Sequence, residues 1–102
     1  MAMCEYAWTS FNDNAKLFEY PPQDPSRFHP TQKPVPLYAW IYKHYAKPGF
    51  KIIDTHLGSG SSRIAAYDAG LDFVGYEISE YYFKLQEERY AKHTAQYNLF
   101  LD

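Results

Sequence analysis

Residues 51–77 read KIIDTHLGSGSSRIAAYDAGLDFVGYE. The run opens with Ile52-Ile53 and ends its first apolar segment in an acid, Asp54. A turn built on Gly58-Ser59-Gly60 follows, and Ser61 and Ser62 stand where hydroxyls cap a helix. Arg63 to Ala69 has helical composition, Gly70 stops it, and Phe73-Val74-Gly75-Tyr76 forms a second strand ending in Glu77. Strand, glycine turn, helix, strand and acid make the pattern of a nucleotide-binding βαβ unit. The glycines allow a sharp turn and close approach of backbone to ligand, while the helix start offers unpaired N–H groups. The acid after the second strand is placed to accept hydrogen bonds from ribose hydroxyls.

The chain around this unit is short. Its 102 residues allow a single domain, 1–102, which is small for an open sheet covered on both faces. Ten basic and twelve acidic residues leave the charge near zero, so contact with nucleic acid would need a local patch. The single cysteine, Cys4, excludes an internal disulfide and suits a reducing compartment. No apolar run approaches the roughly 20 residues of a membrane span, and the first ten residues lack a basic signal-peptide start. The expected setting is therefore cytoplasmic, with no membrane partner. Eleven tyrosines, seven phenylalanines and two tryptophans exceed what so small a core can bury, which suggests rings that meet a partner.

Residues 1–20 read as a β-hairpin: an aromatic strand from Glu5 to Phe11, a turn at Asn12-Asp13-Asn14 and a return strand to Tyr20. Residues 21–36 hold six of the seven prolines and are expected to form an extended loop. Within 37–95, Leu37, Tyr38, Ile41, Tyr42 and Tyr45 have the spacing of an amphipathic helix over Val35 to Tyr45, ended by Pro48-Gly49. The rings at Tyr38, Trp40, Tyr42 and Tyr45 are better suited to helix packing than to stacking on bases. Ser79 is a good N-cap for a last helix reaching about His93, and 96–102 remains as an apolar tail.

The glycine turn is no phosphate-binding P-loop, since no Lys-Ser or Lys-Thr follows it. It also departs from the dinucleotide fingerprint, because Arg63 stands in place of the third glycine, which counts against a nicotinamide-dependent oxidoreductase. His29 and His56 lack the Cys or carboxylate spacing of a zinc site and fit polar loop roles. Glu77 follows Gly60 by 17 positions, close to the roughly 20 expected between turn and ribose-binding acid.

Three motifs in order carry a resemblance: HPTQKP at His29 to Pro34, DTHLGSGSS at Asp54 to Ser62, and GYEISEYY from Gly75 to Tyr82. The chain resembles the C-terminal half of the S-adenosylmethionine-dependent DNA amino-methyltransferases, which methylate the exocyclic amine of adenine or cytosine. The resemblance implies a partial Rossmann-like α/β fold, with the hairpin and proline loop followed by helix, strand, helix, strand and helix. It implies S-adenosyl-L-methionine as cofactor, with Asp54 and the turn residues Gly58, Ser59, Gly60 and Ser61 at its methionine part. Thr31, Gln32 and Lys33 would reach the cofactor carboxylate and Glu77 the ribose. His56 stands where many members carry a phenylalanine against the cofactor.

The family's catalytic loop is an acid, Asn or Ser followed by Pro-Pro and an aromatic residue. Here Pro21-Pro22 lies between Tyr20 and Gln23, whose side chains do not fit that task. The expectation is a cofactor-binding half that is inactive alone, of bacterial or phage origin, that meets DNA within a complete enzyme. It would self-associate or require a complementing chain. A different class stays open: a catalytically silent DNA- or protein-binding module. Its tail, Gln96-Tyr97-Asn98-Leu99-Phe100, is similar to the Q-x-x-L-F peptides that bind the bacterial sliding clamp through Gln96, Leu99 and Phe100.

Overall fold

The computed structural model describes residues 32–101; the expected hairpin, most of the proline loop and Thr31 lie outside the described residues. The elements follow as helix α1 (Val35–Tyr45), strand β1 (Lys51–Asp54), helix α2 (Ser61–Asp68), strand β2 (Asp72–Gly75) and helix α3 (Glu80–Leu101). This is the expected order of helix, strand, helix, strand and helix.

Pro36 lies in the first turn of α1, where a missing N–H costs nothing, and Pro34 holds extended backbone just before it. The helix ends as Ala46 turns extended, its N–H still bonded to the Tyr42 carbonyl. At the other end of the chain, Ser79 caps α3 as expected. Its hydroxyl accepts from the Tyr82 N–H at 3.3 Å and its carbonyl from the Phe83 N–H at 2.8 Å. The helix does not stop near His93. It continues to Leu101, so the backbone from Gln96 to Leu101 is helical. No proline or glycine follows Ser79 to break it.

β1 and β2 pair in parallel, with Ile52 opposite Phe73 and Ile53 opposite Val74. The side-chain period of two sends Ile52 and Phe73 to one face and Ile53 and Val74 to the other. Ile52 and Phe73 pack on the cluster formed by Tyr42, Ala65 and Ala66, together with Val35, Tyr38, Ile41 and Leu71. Helices α1 and α2 thus cover that face, and the small alanines of α2 let it lie close. Ile53, on the opposite face, stays 65 % exposed. The Tyr42 hydroxyl donates to the Ser62 carbonyl at 3.2 Å and joins α1 to the start of α2. Burial pushes the Tyr42 phenol far above its ordinary value, with Tyr38 and Asp54 adding to the shift, so it remains a neutral donor.

Among the described residues no helix is long and apolar enough to cross a membrane.

Candidate cofactor site

The site grows from the end of the sheet. Beyond the last paired residues, the Tyr76 N–H donates to the Asp54 carbonyl at 2.9 Å, and the Leu57 N–H donates to the Tyr76 carbonyl at 2.8 Å. The Gly58 N–H then donates to Glu77 Oε1 at 2.8 Å. Three bonds in succession stitch the turn after β1 to the chain leaving β2. The two strand-end acids are brought to the same edge for that reason.

Both acids are anchored by the backbone they serve. Asp54 Oδ1 accepts from the His56 N–H at 3.0 Å, and Oδ2 accepts from the Ser62 hydroxyl at 2.5 Å. The first bond closes a local turn and the second ties the strand end to the first turn of α2. Glu77 Oε2 accepts from the Ser79 N–H at 2.8 Å, so its carboxylate also holds the approach to α3. A carboxylate offers about four acceptor positions, so each of these acids retains capacity for a ligand.

The turn is shaped by its glycines and one leucine. Gly58 and Gly60 have φ of +57° and +81°, in the left-handed region that a side chain makes costly. Leu57 is buried, and the Cβ of any residue at Gly75 would lie 3.0 Å from its Cδ1. A Cβ at Gly60 would lie 3.0 Å from Cβ of Gln86, a buried side chain of α3. Arg89, one turn further along α3, donates through Nη1 to the Ser59 carbonyl at 3.0 Å and to the Ser61 hydroxyl at 2.9 Å.

A cleft of about 270 Å³ opens beside the turn, lined by Lys33, Tyr38, His56, Leu57, Gly58, Ser59, Ser61 and Glu77. Six residues singled out in the sequence therefore meet here: Lys33, His56, Gly58, Ser59, Ser61 and Glu77. Asp54 braces the turn from beneath without lining the cleft, and Gly60 faces α3. Gln32 is described but is not part of the lining. Tyr38 and Leu57 are lining residues that sequence reasoning assigned only to packing or left unremarked. For Tyr38 the signal was present, since a ring on the first turn of α1 directly follows the proline loop. His56 is exposed at the rim, with its Nδ1 2.9 Å from the Thr55 hydroxyl. No cluster of metal-ligating side chains occurs among the described residues.

Arg63 shows why the third glycine of the dinucleotide pattern is missing. Its guanidinium lies 3.6 Å from the centre of the Tyr90 ring and pairs with Glu87, so α2 meets α3 through a long side chain. That position needs a side chain here, whereas a dinucleotide fold needs close helix–strand approach.

A family model described as DNA methylase, covering adenine-N6 and cytosine-N4 enzymes, matches residues 4–88. The chain belongs to this DNA methylase family. It is similar to the putative methylase YubD of Escherichia coli strain K12, 33% identical over 66 residues, which cover 65% of this chain and 29% of YubD. It is also similar to the type II methyltransferase M2.DpnII of Streptococcus pneumoniae, 36% identical over 61 residues, covering 60% of this chain and 23% of that enzyme. The matched stretch thus spans less than a third of either relative. Among solved structures, the M1.HpyAVI–SAM complex superposes with a TM-score of 0.60 at 25% identity, covering 71% of this chain and 42% of that one. The βαβ arrangement is accordingly part of a Rossmann-like methyltransferase fold, in a family whose methyl donor is S-adenosylmethionine.

Proposed function

We propose that this chain is the S-adenosylmethionine-binding part of a DNA methyltransferase acting on an exocyclic amine of adenine or cytosine. The observation that carries the reading is the cleft at the end of the parallel strands, where Glu77, the Gly58–Ser61 turn and Lys33 converge. Ligands of open α/β sheets bind at this end of the strands. The donor set suits the cofactor. Lys33 and the Ser61 hydroxyl match its carboxylate, and the remaining acceptor positions of Glu77 match ribose hydroxyls. Tyr38 and Leu57 supply apolar wall. Thr31 and Gln32 belong to the same proposal through the proline loop, and Asp54 acts through the turn that it braces. His56, at the rim, offers a polar ring where many relatives place a phenylalanine.

When bound, the sulfonium supplies an activated methyl group. The residues of this chain bind and orient it, but methyl transfer also needs a group that aligns the target amine. No acid, Asn or Ser followed by Pro-Pro and an aromatic residue occurs in these 102 residues. Catalysis and DNA binding are therefore assigned to the complete enzyme, with the missing elements supplied by further sequence, a second copy or a complementing chain. The exposure of Ile53 on one sheet face supports such an association, because parallel strands are normally covered on both sides. The bacterial source of both relatives supports a cytoplasmic setting in a bacterium or phage-infected cell.

Calorimetry with S-adenosylmethionine tests the reading. Binding by the intact chain, weakened in Asp54→Asn and Glu77→Gln, is the expected result. An intact, folded chain that takes up no heat with the cofactor overturns it and leaves a silent binding module, whose Gln96, Leu99 and Phe100 would then be assayed against the sliding clamp.

A further inference from the structure

The glycine turn is held from behind by a residue outside every motif that points to the cofactor. Arg89 lies near the middle of α3, and a single nitrogen, Nη1, donates to both the Ser59 carbonyl and the Ser61 hydroxyl. Those two serines line the cleft, and both are buried. We propose that Arg89 is a positioning residue that sets the proton direction of the Ser59–Ser61 hydroxyl pair and thereby the affinity for the carboxylate-bearing end of the cofactor. The proposal rests on the cofactor reading above.

An arginine nitrogen can only donate, so Ser61 Oγ must accept from it. The Ser61 proton must then point elsewhere. Ser59 Oγ lies 3.2 Å away, and both serines line the cleft. With Arg89 in place, the hydroxyl pair has a proton to present to an anionic group in the cleft. Without it, Ser61 can turn its proton back into the protein and offer a lone pair, which repels a carboxylate. Hydrogen bonds of this charge-assisted kind are the stronger ones.

Paired ligands provide the test. Calorimetry compares S-adenosylmethionine with 5′-methylthioadenosine, which keeps adenine and ribose but lacks the amino-acid end. Arg89→Met, which keeps most of the stem but no donor, is expected to weaken S-adenosylmethionine roughly tenfold, the scale of one charge-assisted hydrogen bond. It should leave methylthioadenosine within about twofold, since no carboxylate is involved. Arg89→Lys restores a donor and should recover most of the loss. Ser61→Ala removes the hydroxyl that Arg89 orients, so Arg89→Gln should weaken S-adenosylmethionine when Ser61 is present and add little in the Ser61→Ala background, a comparison that stays informative if Arg89→Met fails to fold. Equal weakening of both ligands, or unchanged S-adenosylmethionine binding, overturns the positioning role. A folded wild-type chain that binds neither ligand overturns the cofactor reading itself, and this proposal with it.

Discussion

Glu77 holds the Gly58 N–H through its Oε1 at 2.8 Å, across 19 residues of sequence. The bond joins the acid after the second strand to the turn after the first. The residue proposed for a ribose is therefore also a fastener of the backbone beside the cleft. Its second oxygen holds the Ser79 N–H, so the acid spans the turn and the entry to α3. On the proposed reading, binding and local structure are coupled at this one side chain.

Substitutions at Glu77 should separate the two roles. Glu77→Gln keeps a carbonyl oxygen for one of the two N–H donors and loses the other, with a stability cost of about 1–2 kcal/mol. Glu77→Ala loses both and should cost more. Cofactor affinity should fall in both variants, since neither carries the charge. Urea denaturation read beside calorimetry gives both numbers. A Glu77→Ala variant as stable as wild type would show that the Gly58 and Ser79 bonds contribute little.

Gly60 and Gly49 provide an internal control for close packing. Both have positive φ, +81° and +89°, so alanine at either carries the left-handed backbone penalty of roughly 1–2 kcal/mol. They differ in surroundings. A Cβ at Gly49 meets nothing within 4 Å, while one at Gly60 meets Gln86 Cβ at 3.0 Å. Gly60→Ala should therefore destabilise more than Gly49→Ala, by about 1 kcal/mol or more for the overpacking. It should also weaken cofactor binding, because relief of the contact must move α3 or the turn. Equal losses at the two sites would remove Gln86 as the reason for the glycine.

These contacts mark where sequence reasoning stopped. The βαβ unit was legible because Ile52-Ile53, the glycine turn and Phe73-Val74 change period in a way that only local geometry explains. Helix α1 was legible from the spacing of Leu37, Tyr38, Ile41 and Tyr42 between prolines. The packing of α3 was not. Tyr82, Leu85, Arg89 and Tyr90 follow a helical period, but the inward residues Gln86 and Arg89 are polar, so that period does not show which turn they pack against. The only hint was Gly60, whose missing side chain implies a close neighbour without naming it. Asp54 was correctly placed at the turn, but its bonds to His56 and Ser62 depend on backbone directions that spacing does not carry. Helix α3 outran the expected end at His93 because apolar residues after it looked like a tail, although nothing there breaks a helix.

The Arg63–Glu87 pair should leave a signature in acid. Hydrogen bonds from Arg63 and then from Gln86 hold the Glu87 carboxyl below its ordinary value of 4.5. A carboxyl with a lowered folded-state value contributes stability that is fully present above its unfolded value and is lost as pH falls through the folded one. Glu87 is half exposed, so solvent screening limits the effect to less than about 1 kcal/mol. Glu87→Gln should be slightly less stable than wild type at pH 7, with the gap narrowing as the pH drops below 4.5. Thermal melts across that range provide the check. A gap that persists undiminished at low pH would show that ionisation of Glu87 is not its source.

Arg63 also allows a test of why this turn departs from the dinucleotide pattern. Restoring the pattern with Arg63→Gly removes the guanidinium from the Tyr90 ring and from Glu87, and places glycine inside α2. The lost cation–π contact and the helix penalty together amount to about 2 kcal/mol. The T-shaped contact of Tyr90 with Tyr67 would remain, so α3 should stay attached but less firmly seated behind the turn. The variant should melt earlier and bind S-adenosylmethionine more weakly, while gaining no affinity for a nicotinamide dinucleotide. Gain of dinucleotide binding would show that the missing glycine alone had set the ligand. Its continued absence would place the choice in the cleft walls, where Lys33 and Ser61 are the residues proposed for a carboxylate rather than a pyrophosphate.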